Sequence, residues 1–361
     1  MNLSFGIVGL PNIGKSTLFN ALTRSSIAES ANYPFCTIEP NIGQVSMIDD
    51  RLHKIASIVS SQNIIMVQLL AVDIAGLIKG ANQGEGLGNK FLHNIREVDV
   101  IVHVLRCFSN EEISHVHNVI NPVLDAEIVN MELILADINT LEKKLFHLKK
   151  HVRDNNQEQN SQIDLIYEIL VILQSGKPAR LFKKHDITGL QLLTTKPMIY
   201  ICNVEDTYMI NGNVLSKSVM YMAQQHNSQV CCISVKLEDE ISRLETSEEQ
   251  KHFLSEFGLE ESALNKMTRI LYDIMGMITC FTVGPKEARA WPVKRGSKAD
   301  QVAGLIHTDF KTGFIKAETI SLIDFIQYRG QAACKQAGKV RLEGRDYIVQ
   351  DGDIMHFRFN I

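Results

Sequence analysis

A candidate phosphate-binding loop lies near the amino terminus. Residues 9–16 read Gly-Leu-Pro-Asn-Ile-Gly-Lys-Ser, between an apolar run at residues 4–9 and a helical pattern at residues 16–22. With this spacing, backbone N–H groups and a helix N-terminus wrap a chain of phosphates, the lysine reaches the β- and γ-phosphates, and the serine hydroxyl coordinates Mg²⁺. The residues expected to contact a nucleotide here are Gly9, Pro11, Asn12, Ile13, Gly14, Lys15, Ser16 and Thr17.

A second candidate element for phosphate and metal chemistry follows a second apolar run. Residues 66–72 predict a buried strand that ends at Asp73, with Gly76 three residues later. Asp73 would bind the Mg²⁺ shell, and the Gly76 N–H would face the γ-phosphate. Thr37 lies in a Pro-bounded stretch that is either an ordinary surface turn or the source of another Mg²⁺ hydroxyl. The predicted metal ligands are Ser16, Thr37 and Asp73.

The residue after Gly76 bears on the rate of hydrolysis. Ras-like enzymes place there a glutamine that orients the attacking water, whereas this chain has Leu77. Because an apolar side chain cannot position water, we expect slow intrinsic turnover unless another group completes the site. The residues assigned to the catalytic centre are Lys15, Thr37, Gly76 and Leu77.

A base-reading loop is predicted after a third apolar run, at residues 196–202. It reads Asn203-Val204-Glu205-Asp206, and Ser234-Val235 follows a further apolar strand at residues 230–233. A guanine-reading loop has Asn-Lys-x-Asp, with the aspartate accepting from the base. Here Val204 replaces the lysine, while Asp206 keeps the guanine-reading spacing. The base-contacting candidates are Asn203, Val204, Glu205, Asp206, Ser234 and Val235.

Strand and helix patterns alternate from residue 1 to about residue 120 and resume at Lys196, which predicts an α/β domain with an insertion. Within the insertion, apolar residues are spaced 4-3-4-3-4 on one segment and 3-4-3 on the next, as in a coiled-coil seam. They are Ile134, Ile138, Leu141, Leu145, Leu148 and Val152, then Ile163, Ile166, Leu170 and Leu173. We therefore expect an antiparallel helical coiled-coil hairpin.

The pattern changes again near residue 278, where short strands predict a small β-grasp domain. The predicted strands cover residues 278–283, 289–294, 314–317, 346–349 and 354–359. The domain organisation is thus an NTPase domain at residues 1–122 and 194–277, an inserted helical domain at residues 123–193, and a C-terminal domain at residues 278–361.

Composition and charge name no partner. The formal charge is −4, so there is no global basic field to attract nucleic acid and no DNA partner is expected. Seven cysteines without a Cys-x-x-Cys pair fit a reducing cytosol, and no apolar run reaches the roughly 18 residues of a membrane helix. We expect a cytoplasmic protein with no membrane partner.

These motifs resemble the YchF family of Obg-like ATPases, in the translation-factor class of P-loop proteins, over essentially the whole chain. Besides residues 9–17, the resemblance lies in residues 32–41, 73–81, 84–91, Arg106-Cys107-Phe108, 287–291 and 307–361. It implies a Ras-like P-loop NTPase domain, a C-terminal TGS domain, Mg²⁺ dependence, a frequent preference for ATP over GTP, and association with ribosomes.

The resemblance leaves base recognition open. The family has Asn-x-x-Glu at the base-reading loop, so a one-residue deletion would bring Glu205 into that role, whereas the spacing favours Asp206. We expect ATP preference, with a GTP-preferring switch and a nucleotide-gated scaffold with incidental hydrolysis as alternatives. Asn12 is also a candidate to help hold K⁺ beside the phosphates.

Two basic clusters are candidates for contact with ribosomal RNA, although a solvated helix face is the default interpretation of the first. The first contains Lys143, Lys144, His147, Lys149, Lys150, His151 and Arg153, and the second surrounds Trp291. Together with the slow turnover expected from Leu77, the resemblance implies a slow nucleotide-driven switch that binds ribosomes and regulates translation or a stress response.

Overall fold

The computed structural model describes residues 3–29, 41–74, 87–110, 113, 119–150 and 157–360. The chain forms two compact units. The first comprises Met1–Val45 and Leu69–Met267, and the second comprises Ser46–Gln68 and Thr268–Ile361.

The strands and helices of the described residues are numbered in chain order. The strands are β1 Ser4–Val8, β2 Ile42–Met47, β3 Asn63–Ile65, β4 Val67–Asp73, β5 Val100–Arg106, β6 Met198–Asn203, β7 Gln229–Ile233, β8 Met277–Val283, β9 Glu287–Lys294, β10 Phe314–Ile320, β11 Arg341–Glu343 and β12 Ile354–Phe359. The helices are α1 Lys15–Glu29, α2 Asp50–Val59, α3 Leu87–Glu97, α4 Pro122–Lys150, α5 Gln157–Gln174, α6 Val214–Gln225, α7 Val235–Ile241, α8 Ser247–Glu256, α9 Ala263–Ile274, α10 Ala299–Ile306, α11 Thr308–Thr312, α12 Leu322–Gln327 and α13 Gln331–Gln336.

The first sheet has the strand order β2-β4-β1-β5-β6-β7. Strand β1 pairs in parallel with β4 and β5, and β6 pairs in parallel with β5 and β7. Every residue of β1, β5 and β6 is buried, as expected for parallel strands covered on both faces. The carboxyl ends of these strands meet at one edge, which is where ligands bind in open α/β sheets.

The helices α4 and α5 share an apolar cluster, which explains why their sequences repeat apolar residues every three or four positions. Of the predicted seam, Ile134, Ile138, Leu141, Leu145, Leu148, Ile166, Leu170 and Leu173 lie in or against this cluster. The buried carboxylate of Asp137 accepts the N–H groups of Leu193 and Thr194 at 2.7 and 2.8 Å and thereby anchors the chain just before β6.

The second unit is built on a sheet with the order β11-β10-β12-β8-β9-β3. Strand β8 pairs antiparallel with β9 and parallel with β12, and β10 pairs antiparallel with β11 and β12. Helix α10 contributes Ala299, Val302 and Ala303 to the buried cluster of this unit.

The second unit differs from the sequence interpretation in two places. The predicted strand at residues 346–349 is wrong, because this segment forms only an isolated bridge between Ile348 and Lys298, and the strand next to β10 is β11. Residues 46–68 and 268–277, which the sequence interpretation placed with the NTPase domain, group with the second unit. The first of these segments does so because β3 pairs in parallel with β9.

Within the described residues, no helix is long and apolar enough to cross a membrane.

Candidate nucleotide-binding site

The loop between β1 and α1 has a backbone that only glycine fits at two positions. Gly9 and Gly14 have φ values of 147° and 96°. A Cβ on Gly9 would lie 2.6 Å from the carbonyl oxygen of Val104, and one on Gly14 would lie 2.8 Å from the Asn203 Nδ2. The close approach of this loop to its neighbours therefore depends on both glycines, as expected for a loop whose N–H groups converge on phosphates.

The Lys15 ammonium group lies over this loop. Its Nζ donates to the carbonyl oxygen of Leu10 at 2.8 Å, which bridges the two ends of the loop. Burial lowers the pKa of Lys15, and the negative charge of Asp73 opposes that shift. A partly desolvated cation at the mouth of the loop is suited to an anionic ligand, because a phosphate would replace the water that the lysine has lost.

Ser16 and Asp73 come together from sequence positions that are far apart. The Ser16 hydroxyl donates to Asp73 Oδ2 at 3.1 Å, and Asp73 Oδ1 is buried with no hydrogen-bond partner among the described residues. A hydroxyl next to an orphaned carboxylate oxygen is a donor set that a hard divalent cation such as Mg²⁺ prefers, so these residues fit the metal. Thr37, Gly76 and Leu77 lie outside the described residues.

The other predicted residues of the phosphate loop differ in how much of each side chain is exposed to solvent. Pro11, Asn12 and Thr17 are exposed, and Ile13 is 2% exposed. Asn12 has a φ of 61°, in the left-handed region that asparagine tolerates. Ile13 thus anchors the loop in the core while Asn12 remains at the surface.

The Asn203 side chain joins the phosphate loop to the base-reading loop. Its Nδ2 donates to the Ile13 carbonyl oxygen at 3.0 Å, and its Oδ1 accepts from the Val235 N–H at 3.2 Å. The Val204 side chain is buried, and its N–H donates to the Ile233 carbonyl oxygen at 3.0 Å. One buried amide therefore brings three segments of the chain to the same edge of the sheet.

The two acidic residues of the base-reading loop have different partners. The Ser234 hydroxyl donates to Asp206 Oδ1, whereas Glu205 Oε1 accepts the Ser109 N–H at 2.8 Å. Asp206 therefore lies beside the Ser234-Val235 segment, and Glu205 is held by the loop after β5. This arrangement favours Asp206 over Glu205 as the carboxylate that meets a base.

Two buried residues near the site were not among the predicted site residues. Arg106 ends the otherwise apolar strand β5 with 1% exposure, and a cation at the end of such a strand is a signal that the sequence contains. His103, in the same strand and opposite Val8 of β1, is fully buried, and neither ring nitrogen has a hydrogen-bond partner within the described part of the chain. Burial and the nearby Lys15 charge lower the pKa of His103 to about 3, so the ring is neutral.

Helix α7 begins directly after Ser234 and carries a buried acid. Glu238 Oε1 accepts the Ala263 N–H, at the start of α9, at 2.6 Å. Burial raises the pKa of Glu238 to about 7, against an ordinary value of 4.5. Between these two pH values the folded chain binds the proton that the unfolded chain releases.

We therefore predict that Glu238 makes the free energy of unfolding fall as pH rises from about 4.5 to about 7, by about 3 kcal/mol in total. Glu238→Gln cannot ionise, so its stability relative to the parent should increase over the same range. Urea titrations of both proteins at several pH values would measure this difference. A difference that is the same at pH 4.5 and pH 8 would contradict the prediction.

Comparisons with known proteins agree with this geometry. The family model MMR_HSR1, described as "50S ribosome-binding GTPase", matches residues 4–140, and the model YchF-GTPase_C, described as a protein of unknown function, matches residues 277–360. The "Ribosome-binding ATPase YchF" proteins of Bacillus subtilis and Escherichia coli O157:H7 are 45% and 46% identical, over 100% of each chain. The chain belongs to the YchF family of P-loop nucleoside triphosphatases.

A solved YchF-family structure extends the likeness to the whole fold. The "Schizosaccharomyces pombe YchF GTPase" superposes with a TM-score of 0.89 at 34% identity, over 99% of this chain and 98% of that one. The resemblance to the YchF family noted from the sequence is thereby confirmed.

Proposed function

We propose that this YchF-family chain is a Mg²⁺-dependent, ATP-preferring NTPase that acts as a slow, nucleotide-driven switch on ribosomes in the cytoplasm. The observation that carries the proposal is the Asn203 side chain, which bonds to both Ile13 and Val235. Phosphate-binding and base-reading loops joined by one buried amide form a continuous site for a nucleoside triphosphate.

Hydrolysis in this site rests on electrostatic clamping. The N–H groups of residues 9–16 and the N-terminus of α1 would bind the phosphates, and Lys15 would leave the Leu10 carbonyl for the β- and γ-phosphates. Ser16 and Asp73 would hold Mg²⁺, which when bound neutralises charge on the phosphate oxygens. Thr37, Gly76 and Leu77 keep their proposed roles as ligand, γ-phosphate contact and poor water-positioning residue.

Base preference tests the proposal most directly. We predict that calorimetry with Mg²⁺ detects binding of both purine triphosphates, with ATP the tighter, and that Asp206→Ala weakens binding by about tenfold. Glu205→Ala should have less than about half that effect on the free energy, because Ser109 rather than the base holds this carboxylate. Binding of GTP alone, with Asp206 essential, would favour the GTP-preferring alternative. No binding of either nucleotide would refute the proposal.

We also propose that turnover requires K⁺ and that Asn12 helps to hold this ion. It is exposed in the phosphate loop with a φ of 61°, a position from which its amide oxygen could reach an ion beside the phosphates. We predict faster turnover in KCl than in NaCl at equal ionic strength, and loss of this difference in Asn12→Ala. Equal rates in the two salts for the parent protein would rule out K⁺ as a cofactor.

The proposed ribosome partner comes from the relatives, two of which are named ribosome-binding ATPases. We propose that α4 and α5 form the antiparallel coiled-coil hairpin that contacts ribosomal RNA, because Lys143, Lys144, Lys149 and Lys150 are exposed on α4. The second unit would act as the TGS domain. Its Trp291 stacks with Arg289 at 4.2 Å and donates to Thr282, contacts that favour a packing role for the ring.

A further inference from the structure

The buried guanidinium of Arg106 organises the loop that follows β5. Its Nε donates to the Phe108 carbonyl oxygen at 3.3 Å, Nη1 to that of Ile113 at 2.9 Å, and Nη2 to that of Asn110 at 2.8 Å. The guanidinium carbon also lies 4.8 Å from the centre of the Phe108 ring. A guanidinium spreads five donors over three nitrogens in a rigid plane, so its donors reach three carbonyls at different places along the loop.

This loop is bonded to the base-reading loop at two places. The Cys107 N–H donates to the Asn203 carbonyl oxygen at 2.8 Å, and the Ser109 N–H donates to Glu205 Oε1 at 2.8 Å. Asn213 fixes the loop from another side, because its Nδ2 donates to the Cys107 carbonyl oxygen at 2.6 Å. The position of the Glu205 carboxylate thus follows from the shape that Arg106 imposes on the loop.

We infer that Arg106 is a positioning residue for base recognition. By shaping the loop whose Ser109 N–H binds Glu205, it keeps that carboxylate away from the base and leaves Asp206, bonded to Ser234, as the acid that faces it. The inference deepens the proposed function and rests on it, since it assumes that residues 203–206 read a purine.

The chemistry of the two purines gives the direction of the effect. Guanine presents two adjacent donors, N1–H and the exocyclic amine, which a free carboxylate can take together. Adenine presents one amine beside the N1 lone pair, which repels a carboxylate that offers both oxygens; Asp206 has one oxygen engaged by Ser234 and can offer a single oxygen to the amine of either purine. If Glu205 were released toward the base, GTP would therefore gain affinity relative to ATP.

The experiment measures ATP and GTP dissociation constants by calorimetry for a set of full-length variants. In Arg106→Met the aliphatic stem is kept and the donors are lost, while Ser109→Pro removes the N–H that Glu205 accepts and also fixes the φ angle at this exposed residue. We expect both to lower the ATP-to-GTP affinity ratio about tenfold. Adding Glu205→Ala to Arg106→Met should restore the ratio to within about twofold of that of Glu205→Ala alone.

A matched control separates positioning from general loss of stability. Arg180 is another partly buried arginine of the same unit, and its Nε donates to the His226 carbonyl oxygen at 3.2 Å. Arg180→Met should lower the melting temperature and leave the affinity ratio unchanged.

Three results would overturn the inference. The first is an unchanged ATP-to-GTP affinity ratio in Ser109→Pro and in any folded Arg106→Met. The second is a changed ratio that persists after Glu205→Ala is added to Arg106→Met. The third is an equal change of the ratio in Arg180→Met. If Arg106→Met does not fold, Ser109→Pro decides alone. A parent protein that binds neither ATP nor GTP would refute the proposed function itself, and a parent that binds both while the variants keep its ratio would refute only the role of Arg106.

Discussion

Replacing Lys15 with alanine is expected to reduce ATP turnover by about 10³-fold or more. Lys15 is the only residue of the phosphate loop whose side chain carries a positive charge, and it would oppose the charge that develops on the transferred phosphoryl group. That loss corresponds to about 4 kcal/mol of transition-state stabilisation. Release of orthophosphate under single-turnover conditions would measure it.

The same substitution should leave the fold intact. Burial lowers the pKa of Lys15, which means that folding disfavours the charged form of this side chain. Removing the ammonium group should therefore lower the free energy of unfolding only slightly. Lys217→Ala, on the exposed part of α6, removes the same charge away from the site and serves as the control. Turnover in Lys15→Ala that equals that of Lys217→Ala would contradict the proposed mechanism.

Lys15→Ala also separates a switch from a scaffold. If nucleotide hydrolysis drives release of a ribosomal partner, turnover and release should be lost together. If hydrolysis is incidental, partner binding should respond to nucleotide as it does in the parent protein. Co-sedimentation with ribosomes, with and without ATP, would distinguish the two.

Replacing Asp73 with asparagine is expected to raise the Mg²⁺ concentration for half-maximal turnover by at least about tenfold and to slow turnover about 100-fold. Asparagine keeps an oxygen to accept from the Ser16 hydroxyl but removes the negative charge. It also removes the charge that opposes the lowered pKa of Lys15, so that pKa should fall further. A Mg²⁺ titration of the turnover rate would measure the first effect.

Asp239→Asn is the matched control for Asp73→Asn. Asp239 lies on α7 and pairs with Arg24 and Arg243 at 2.8 and 2.6 Å, so the same change of charge is made in the same unit without touching the site. The Mg²⁺ dependence of Asp239→Asn should match that of the parent protein. Asp73→Asn with the parent's Mg²⁺ dependence would show that this carboxylate does not hold the metal.

Local signals in the sequence were enough to predict several parts of this protein. The glycines and lysine of residues 9–16 have meaning only between a strand and a helix, and both elements are visible from apolar periodicity within a few residues. The same holds for Asp73 at the end of β4 and for the apolar spacing of α4 and α5. The α/β class and the family follow from such short-range patterns.

Features that depend on contacts between distant residues could be assigned only from the folded protein. Glu205 and Asp206 are neighbours in the chain, and their roles separate only because Ser109, 96 positions before Glu205, and Ser234, 28 positions after Asp206, bind them differently. Residues 46–68 belong to the second unit because β3 pairs in parallel with β9, which is far from it in the sequence. A hydrogen bond across such separations is set by the packing of the whole sheet and leaves no local pattern in the sequence.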